Sequence, residues 1–259
     1  MFKEKNIFQY GNSQFLKNVL ENNTIGFSSL KEFNDPFESC YSYNHYVKNV
    51  ETAFQYVVEM NNGPISDKVS RLRNLIENSL SKFKITCFSK TPYEPLMWAH
   101  YAEKHRGICY CFNKDEGIFN MLKYKGKQVT YSNLLPKIDY FDDRTTYEMI
   151  KPQIESIILT KSEKWNYEKE FRYYTVSSEN THYFNPKSLQ AVIIGCRNTC
   201  KEKTKKVIDF FNKKNGTDVK LLFAKISPDE YRMNIFEKEI QRKPSITLPQ
   251  YDFKDEPIK

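Results

Sequence analysis

The stretch Trp165-Asn-Tyr-Glu-Lys-Glu-Phe-Arg-Tyr-Tyr-Thr-Val176 decides how this chain is read. From residue 168 onward it reads as a strand, whose side chains point to opposite faces in turn. Glu168, Glu170, Arg172 and Tyr174 then share one face, and Lys169, Phe171 and Tyr173 the other. Same-face neighbours in a strand lie about 7 Å apart, so two carboxylates repel at that spacing and one pKa rises unless a cation intervenes. Arg172 is placed to be that cation. A solvated strand face with a salt bridge would use the same charges. Trp165 and Tyr167 flank the stripe, however, and scarce aromatics beside paired carboxylates suit a ligand site.

Two further stretches carry the same kind of concentration. Trp98-Ala-His-Tyr-Ala-Glu-Lys-His-Arg-Gly107 holds two of the four histidines and one of the two tryptophans, so rare and versatile residues are spent within ten positions. His100 and Tyr101 at a cleft mouth could bind a ribose hydroxyl and stack on a flat ring. Equally, His100 and His105 could cap buried backbone. Metal ligation by these histidines with Glu103 has no recognised spacing, and no metal is expected. The third stretch, Phe33-Asn-Asp-Pro-Phe-Glu38, must turn, because Pro36 forces Asp35 out of the helical region. Asp35 either stiffens that loop through a local side-chain turn or borders the same pocket.

Around these stretches the chain reads as α+β. Strands are expected at 7–10, 24–28, 84–89, 107–112, 128–131, 168–176, 189–195 and 218–226. Helices are expected from residue 13 and over 46–60, 68–83, 144–160 and 202–214. Strand and crossover helix do not alternate regularly, which argues against a doubly wound sheet. Residues 1–244 are expected to form one domain and 245–259 a polar tail. Aromatic residues make up 15% of the chain against 39% hydrophobic, so the core should be rich in rings. The six cysteines lack paired C-x-x-C spacing and read as thiols. No apolar run approaches a membrane span and the N-terminus lacks a signal-like stretch, so the expected location is cytoplasmic, with no membrane partner. The net charge of +8 is compatible with a nucleic-acid partner, though solvated lysines over 201–214 account for much of it. No Gly-rich phosphate loop is present.

Taken in order, Tyr10, Phe33 to Glu38, Cys87-Phe-Ser89, Trp98 to Gly107 and Lys161 to Arg172 make the chain resemble a bacterial family known as domain of unknown function 2971. More distantly, the order of parts resembles the ADP-ribosyltransferase fold, a split, antiparallel-rich sheet with peripheral helices. In that fold an early strand and a second polar or aromatic strand hold NAD, and a late strand carries the catalytic glutamate. The resemblance implies Glu170 as the catalytic carboxylate and Glu168 as an accessory that positions the acceptor. Tyr10, Ser89, His100, Tyr101 and Arg172 would bind NAD, here a substrate. Asp35, Trp98, His105, Trp165 and Tyr167 would border the bound molecules. Tyr10 stands where that fold has its early His or Arg. The implied activity is ADP-ribosyl transfer to a nucleic-acid or protein acceptor, and a toxin or phage-defence effector is one setting for it. Two other readings stay open: a non-enzymatic nucleotide- or nucleic-acid-binding module, and a hydrolase or nuclease using the Glu and His side chains.

Overall fold

Ile108-Cys-Tyr-Cys-Phe-Asn113 is buried along its whole length, and that places it at the centre of a sheet covered on both faces. The computed structural model describes residues 2–44, 64–139 and 146–238. Within them, eight strands form the main sheet: β1 Asn6–Gly11, β2 Phe83–Ser89, β3 Ile108–Asn113, β4 Lys125–Gln128, β5 Glu170–Val176, β6 Leu189–Ile194, β7 Lys220–Ile226 and β8 Met233–Phe236. Their order is β8-β7-β6-β3-β1-β2-β5-β4. Every neighbouring pair is antiparallel except β6 with β7. Parallel neighbours need a crossover, and a helix over Lys201–Asn215 lies between these two in the chain.

Alternation in β3 divides the core. Ile108, Tyr110 and Phe112 face one layer with Leu16, Leu20 and Phe211, while Cys109 and Cys111 face another with Phe8, Trp98 and Ile193. Among the described residues, five α-helices supply the covers: α1 Leu16–Asn22, α2 Pro64–Leu80, α3 Pro95–Tyr101, α4 Tyr147–Leu159 and α5 Lys201–Asn215. Leu72, Ile76 and Leu80 of α2 recur at i, i+4 and meet Ile150, Ile154 and Ile157 of α4 over Ile85 and Tyr174. No helix among the described residues is long and apolar enough to cross a membrane.

The sheet is nearly divided in two between β1 and β2. They pair at one register position only, Phe8 opposite Ser89. By contrast, β1 runs in register with β3 along its whole length. A side-chain bond, Gln9 Nε2 to Thr86 Oγ1 at 2.7 Å, spans the interruption. An α+β chain with a large, mostly antiparallel sheet is thus the outcome, as the sequence led us to expect.

Several boundaries differ. The 68–83 helix ends at Leu80, because Phe83 and Ile85 enter the core as the first inward-facing residues of the strand β2. The 128–131 strand is two strands, β4 and Thr130–Ser132, the second pairing with Thr160–Ser162. Val129 between them donates to Glu170 O at 3.0 Å. The 46–60 helix and the 245–259 tail lie outside the described residues.

Two glycines fix the junction beneath β1, β3 and β6. A Cβ on Gly195 would stand 2.3 Å from His105 O, and one on Gly107 would stand 2.3 Å from Gly11 O. Both obstacles are backbone. Gly195→Ala should therefore cost about 1–3 kcal/mol or more. Gly26, with nothing within 4 Å of its Cβ position, serves as the control. Urea denaturation of both variants checks this, and an unchanged midpoint for Gly195→Ala would count against the close approach.

Candidate functional site

The stretch Glu163–Glu168 is a 3-10 turn, not strand. Lys169 then takes the left-handed conformation, φ 47° and ψ 51°, and β5 begins at Glu170. The expected stripe of 168, 170, 172 and 174 on one strand face is therefore corrected. Alternation aligns Glu170, Arg172 and Tyr174, while Glu168 reaches the same place from the turn. The turn is held by its backbone groups. Glu168 O accepts from Ser89 Oγ at 2.6 Å, Lys169 O from Lys90 N at 3.0 Å, and Glu170 N donates to the Tyr131 hydroxyl at 2.7 Å.

Five charged side chains converge there, all nearly inaccessible to water. Arg172 is completely buried. Its Nε lies 2.7 Å from Glu170 Oε1, and its Nη2 lies 3.1 Å from Glu170 Oε2 and 2.8 Å from Glu38 Oε2. Its Nη1 donates to Ile158 O at 2.5 Å, and its guanidinium sits over the Phe33 ring. Lys161 Nζ completes the lattice, 3.0 Å from Glu38 Oε1, 2.6 Å from Glu168 Oε2 and 3.1 Å from Glu170 Oε2, with the Trp165 ring at 5.2 Å. Three carboxylates face two cations, which leaves a formal excess of one negative charge.

A cleft of about 260 Å³ opens over this lattice, between β1, β2 and the 33–38 loop. Phe8, Tyr10, Phe33, Phe88, Met97 and Tyr101 give it apolar walls, and Lys161, Glu168 and Glu170 are part of its lining. Of the residues singled out in the sequence, Tyr10, Asp35, Ser89, Tyr101, Glu168 and Glu170 line it. The Tyr10 hydroxyl donates to Thr91 O at 2.8 Å, so it is the ring that this residue offers. The Tyr101 hydroxyl donates to Glu168 Oε1 at 2.7 Å. Asp35 accepts from Phe37 N at 3.0 Å, forming the local side-chain turn, and also borders the cleft.

The other residues lie elsewhere. Arg172 sits beneath the floor, out of a ligand's reach. Trp98 is fully buried, donates to Pro92 O at 2.8 Å and meets Tyr10 edge to face; it is core and cannot border a bound molecule. His105 ends a left-handed run, Glu103, Lys104 and His105, its carbonyl accepts from Arg197 N at 3.0 Å, and it is not part of the cleft lining. His100 is exposed, with its ring against Tyr101 and Trp165. Trp165, half-buried, lines a neighbouring cleft with Phe37, Leu134 and Leu135, and Tyr167 packs beside it. Sequence reasoning missed Glu38, Lys161 and Tyr131. Charge counting could have found a cation, since Arg172 alone does not balance two buried carboxylates.

The environment drives the two glutamates apart. Burial pushes the Glu170 carboxyl up, but Arg172 and Lys161 outweigh it and hold it at about 2. Burial lifts Glu168 above the usual carboxylate range despite Lys161, and Glu170 adds to the rise. The Tyr101 phenol is raised by burial and by the neighbouring Glu168 charge, so it stays protonated and donates.

Residues 97–173 match the model of a family described as Protein of unknown function (DUF2971), which supports the resemblance to that family. The match runs from α3 into β5, and so takes in the Trp98 to Gly107 and Lys161 to Arg172 stretches. Comparison with curated proteins and with solved structures gives no match.

Arg172→Met would leave Glu38 and Glu170 with only Lys161 between them, and should cost about 3–5 kcal/mol. Chemical denaturation at neutral pH measures it, and a loss below about 1 kcal/mol would mean the lattice is more hydrated than its burial implies. Acid should also act in a signed way. Glu170 falls from an ordinary 4.5 to about 2 on folding, so the stability it supplies is complete above about 4.5 and drains as pH falls towards 2. Glu168 is shifted upward and works in the opposite sense. Glu170→Gln should flatten the stability profile between those pH values, and Glu168→Gln should remove the opposing gain in stability that acidification brings above about 4.5.

Proposed function

We propose that the chain is an NAD-consuming ADP-ribosyltransferase whose donor cleft is the one above the lattice. The observation that carries this reading is the meeting of three strands. Ser89 lies opposite both Phe8 of β1 and Glu170 of β5, so early strand, second strand and late strand are neighbours around one aromatic cleft. Its chemistry supports the same reading. The nicotinamide ring of NAD is a cation, and an acidic floor under aromatic walls suits a flat cation. The same charge repels phosphate, so only the ring end of a nucleotide suits the floor, and a nucleic-acid backbone does not.

In the reaction, the bond between ribose C1 and the nicotinamide nitrogen breaks, and its electron pair neutralises the ring. Positive charge passes to the sugar in an oxocarbenium-like state. Glu170 stays ionised across the physiological range and is held by Arg172 and Lys161. It can oppose that charge without reorganising. Glu168, with its raised pKa and its hydrogen bond from Tyr101, is suited to take the proton that the acceptor loses as it bonds to C1. The products are nicotinamide and the ADP-ribosylated acceptor. Tyr10 and Tyr101 offer rings to the nicotinamide, and Ser89 has its hydroxyl committed to Glu168 O.

One observation favours a second reading. Both Glu170 oxygens are already bonded to cations, as in a purely architectural ion pair. A binding module would then keep its ligand affinity in Glu170→Gln.

Calorimetry with NAD, together with nicotinamide release in a lysate that supplies acceptors, separates the two. Glu170→Gln should lower release by about 10²–10³-fold, well beyond the loss of NAD affinity that removing one floor charge brings, and Tyr101→Phe should lower it less. Wild-type protein that neither binds NAD nor releases nicotinamide overturns the proposal.

A further inference from the structure

Glu38 has no part in the chemistry above, yet it determines the charge of the cleft floor. The turn that presents it is dictated locally. Pro36 disfavours helical backbone at Asp35, Asp35 Oδ1 accepts from Phe37 N at 3.0 Å, and Asp35 O accepts from Glu38 N at 3.1 Å. The carboxylate is thereby driven inward, where one oxygen meets Lys161 at 3.0 Å and the other Arg172 at 2.8 Å. Its side chain is 2% exposed, so water does little to screen it.

Without Glu38, two cations would balance Glu168 and Glu170. With it, the floor carries one unmatched negative charge beneath the aromatic walls. We propose that Glu38 is the specificity-determining residue of the cleft, making it select a cationic aromatic ring over a neutral ring of the same shape. The inference rests on the donor-cleft reading and adds to it the residue that would favour oxidised over neutral nicotinamide. In a transferase this residue would bind NAD and, once the ring has lost its charge, help to expel the nicotinamide product. Glu32 and Asp35 also line the cleft and add to the negative field. They lie nearer solvent than Glu38, where charge is screened.

The test compares two probes on the full chain by calorimetry, nicotinamide and 1-methylnicotinamide, which differ in charge and one methyl group. A unit charge within about 7 Å at a partly buried site supports a preference of about tenfold or more. Wild-type protein should bind the methylated cation about tenfold tighter. Glu38→Gln should bring the ratio near one, and Lys161→Gln, which removes a cation from the same floor, should widen it. A wild-type ratio near one, binding of neither probe, or an undiminished ratio in folded Glu38→Gln overturns the inference. If Glu38→Gln does not fold, the wild-type ratio and its direction of change in Lys161→Gln decide. Nicotinamide release from NAD with a flat ratio would defeat this inference alone. The expected ratios without any release would defeat the transferase reading and leave the cation site standing.

Discussion

Burying five charges in one place is the constraint that the rest of this structure answers to. Removing a charge from water costs several kcal/mol even after the protein relaxes, so each must find its partners at close range. Glu38, Lys161, Glu168, Glu170 and Arg172 come from a loop, a short strand, a turn and a long strand. They can satisfy one another only if those pieces converge. The lattice is therefore a condition on the global fold, and a chain that docked the 33–38 loop wrongly would lose the contacts that Glu38 makes to Lys161 and Arg172. Stability alone is a poor reason to keep it, since well-packed apolar side chains would serve as well or better. What apolar packing cannot supply is an ionised, immobile carboxylate at the base of a cleft.

The backbone around the lattice is shaped to the same end. Left-handed Lys169 turns the chain so that Glu168 and Glu170, which ordinary pleating would keep about 7 Å apart on one face, both reach the Lys161 ammonium. The ladder between β1 and β2 breaks after a single pair and leaves an opening between the two halves of the sheet. Side chains do the joining there: Gln9 with Thr86, and Tyr10 with Thr91 O. An unbroken ladder would have closed the floor over. The missing backbone bonds and the cleft are the same feature.

Much of this was legible in the sequence because it depends on local pattern. The apolar run at 108–112, the helical spacing of Leu72, Ile76 and Leu80, and the turn forced by Pro36 are each short-range signals. Glu168, Glu170 and Arg172 read as one electrostatic unit in the sequence; Arg172 pairs with Glu170, and Glu168 joins them through Lys161. Lys161 and Glu38 were passed over because their role exists only after long-range convergence: Arg172 and Glu38 are 134 positions apart. Rarity also misled. Trp98 and His105 drew attention as scarce residues, but Trp98 fills the core beneath Tyr10, and His105 closes a left-handed run that brings Gly107 against Gly11. That stretch serves the cleft through Tyr101 alone. Scarce residues mark places where a particular shape or bond is needed, and a packing junction needs them as much as a ligand does.

The pairing of Glu168 with Glu170 shows how one lattice can give two carboxylates different natures. They are two positions apart and share Lys161, so a difference between them must come from their other neighbours. Glu170 has the Arg172 fork, a permanent cation at two contacts, and is fixed in its ionised form. Glu168 has Tyr101 instead, a neutral donor, and desolvation then prevails. Where neighbouring acids are driven apart in this way, the lower one suits holding charge and the higher one suits moving protons. Arg172 never touches the cleft, yet it is the residue that sets this division. Exchanging it for lysine would keep the charge but lose the fork, which is why the geometry of a fully buried side chain, more than its charge, governs what the two carboxylates lining the cleft above it can do.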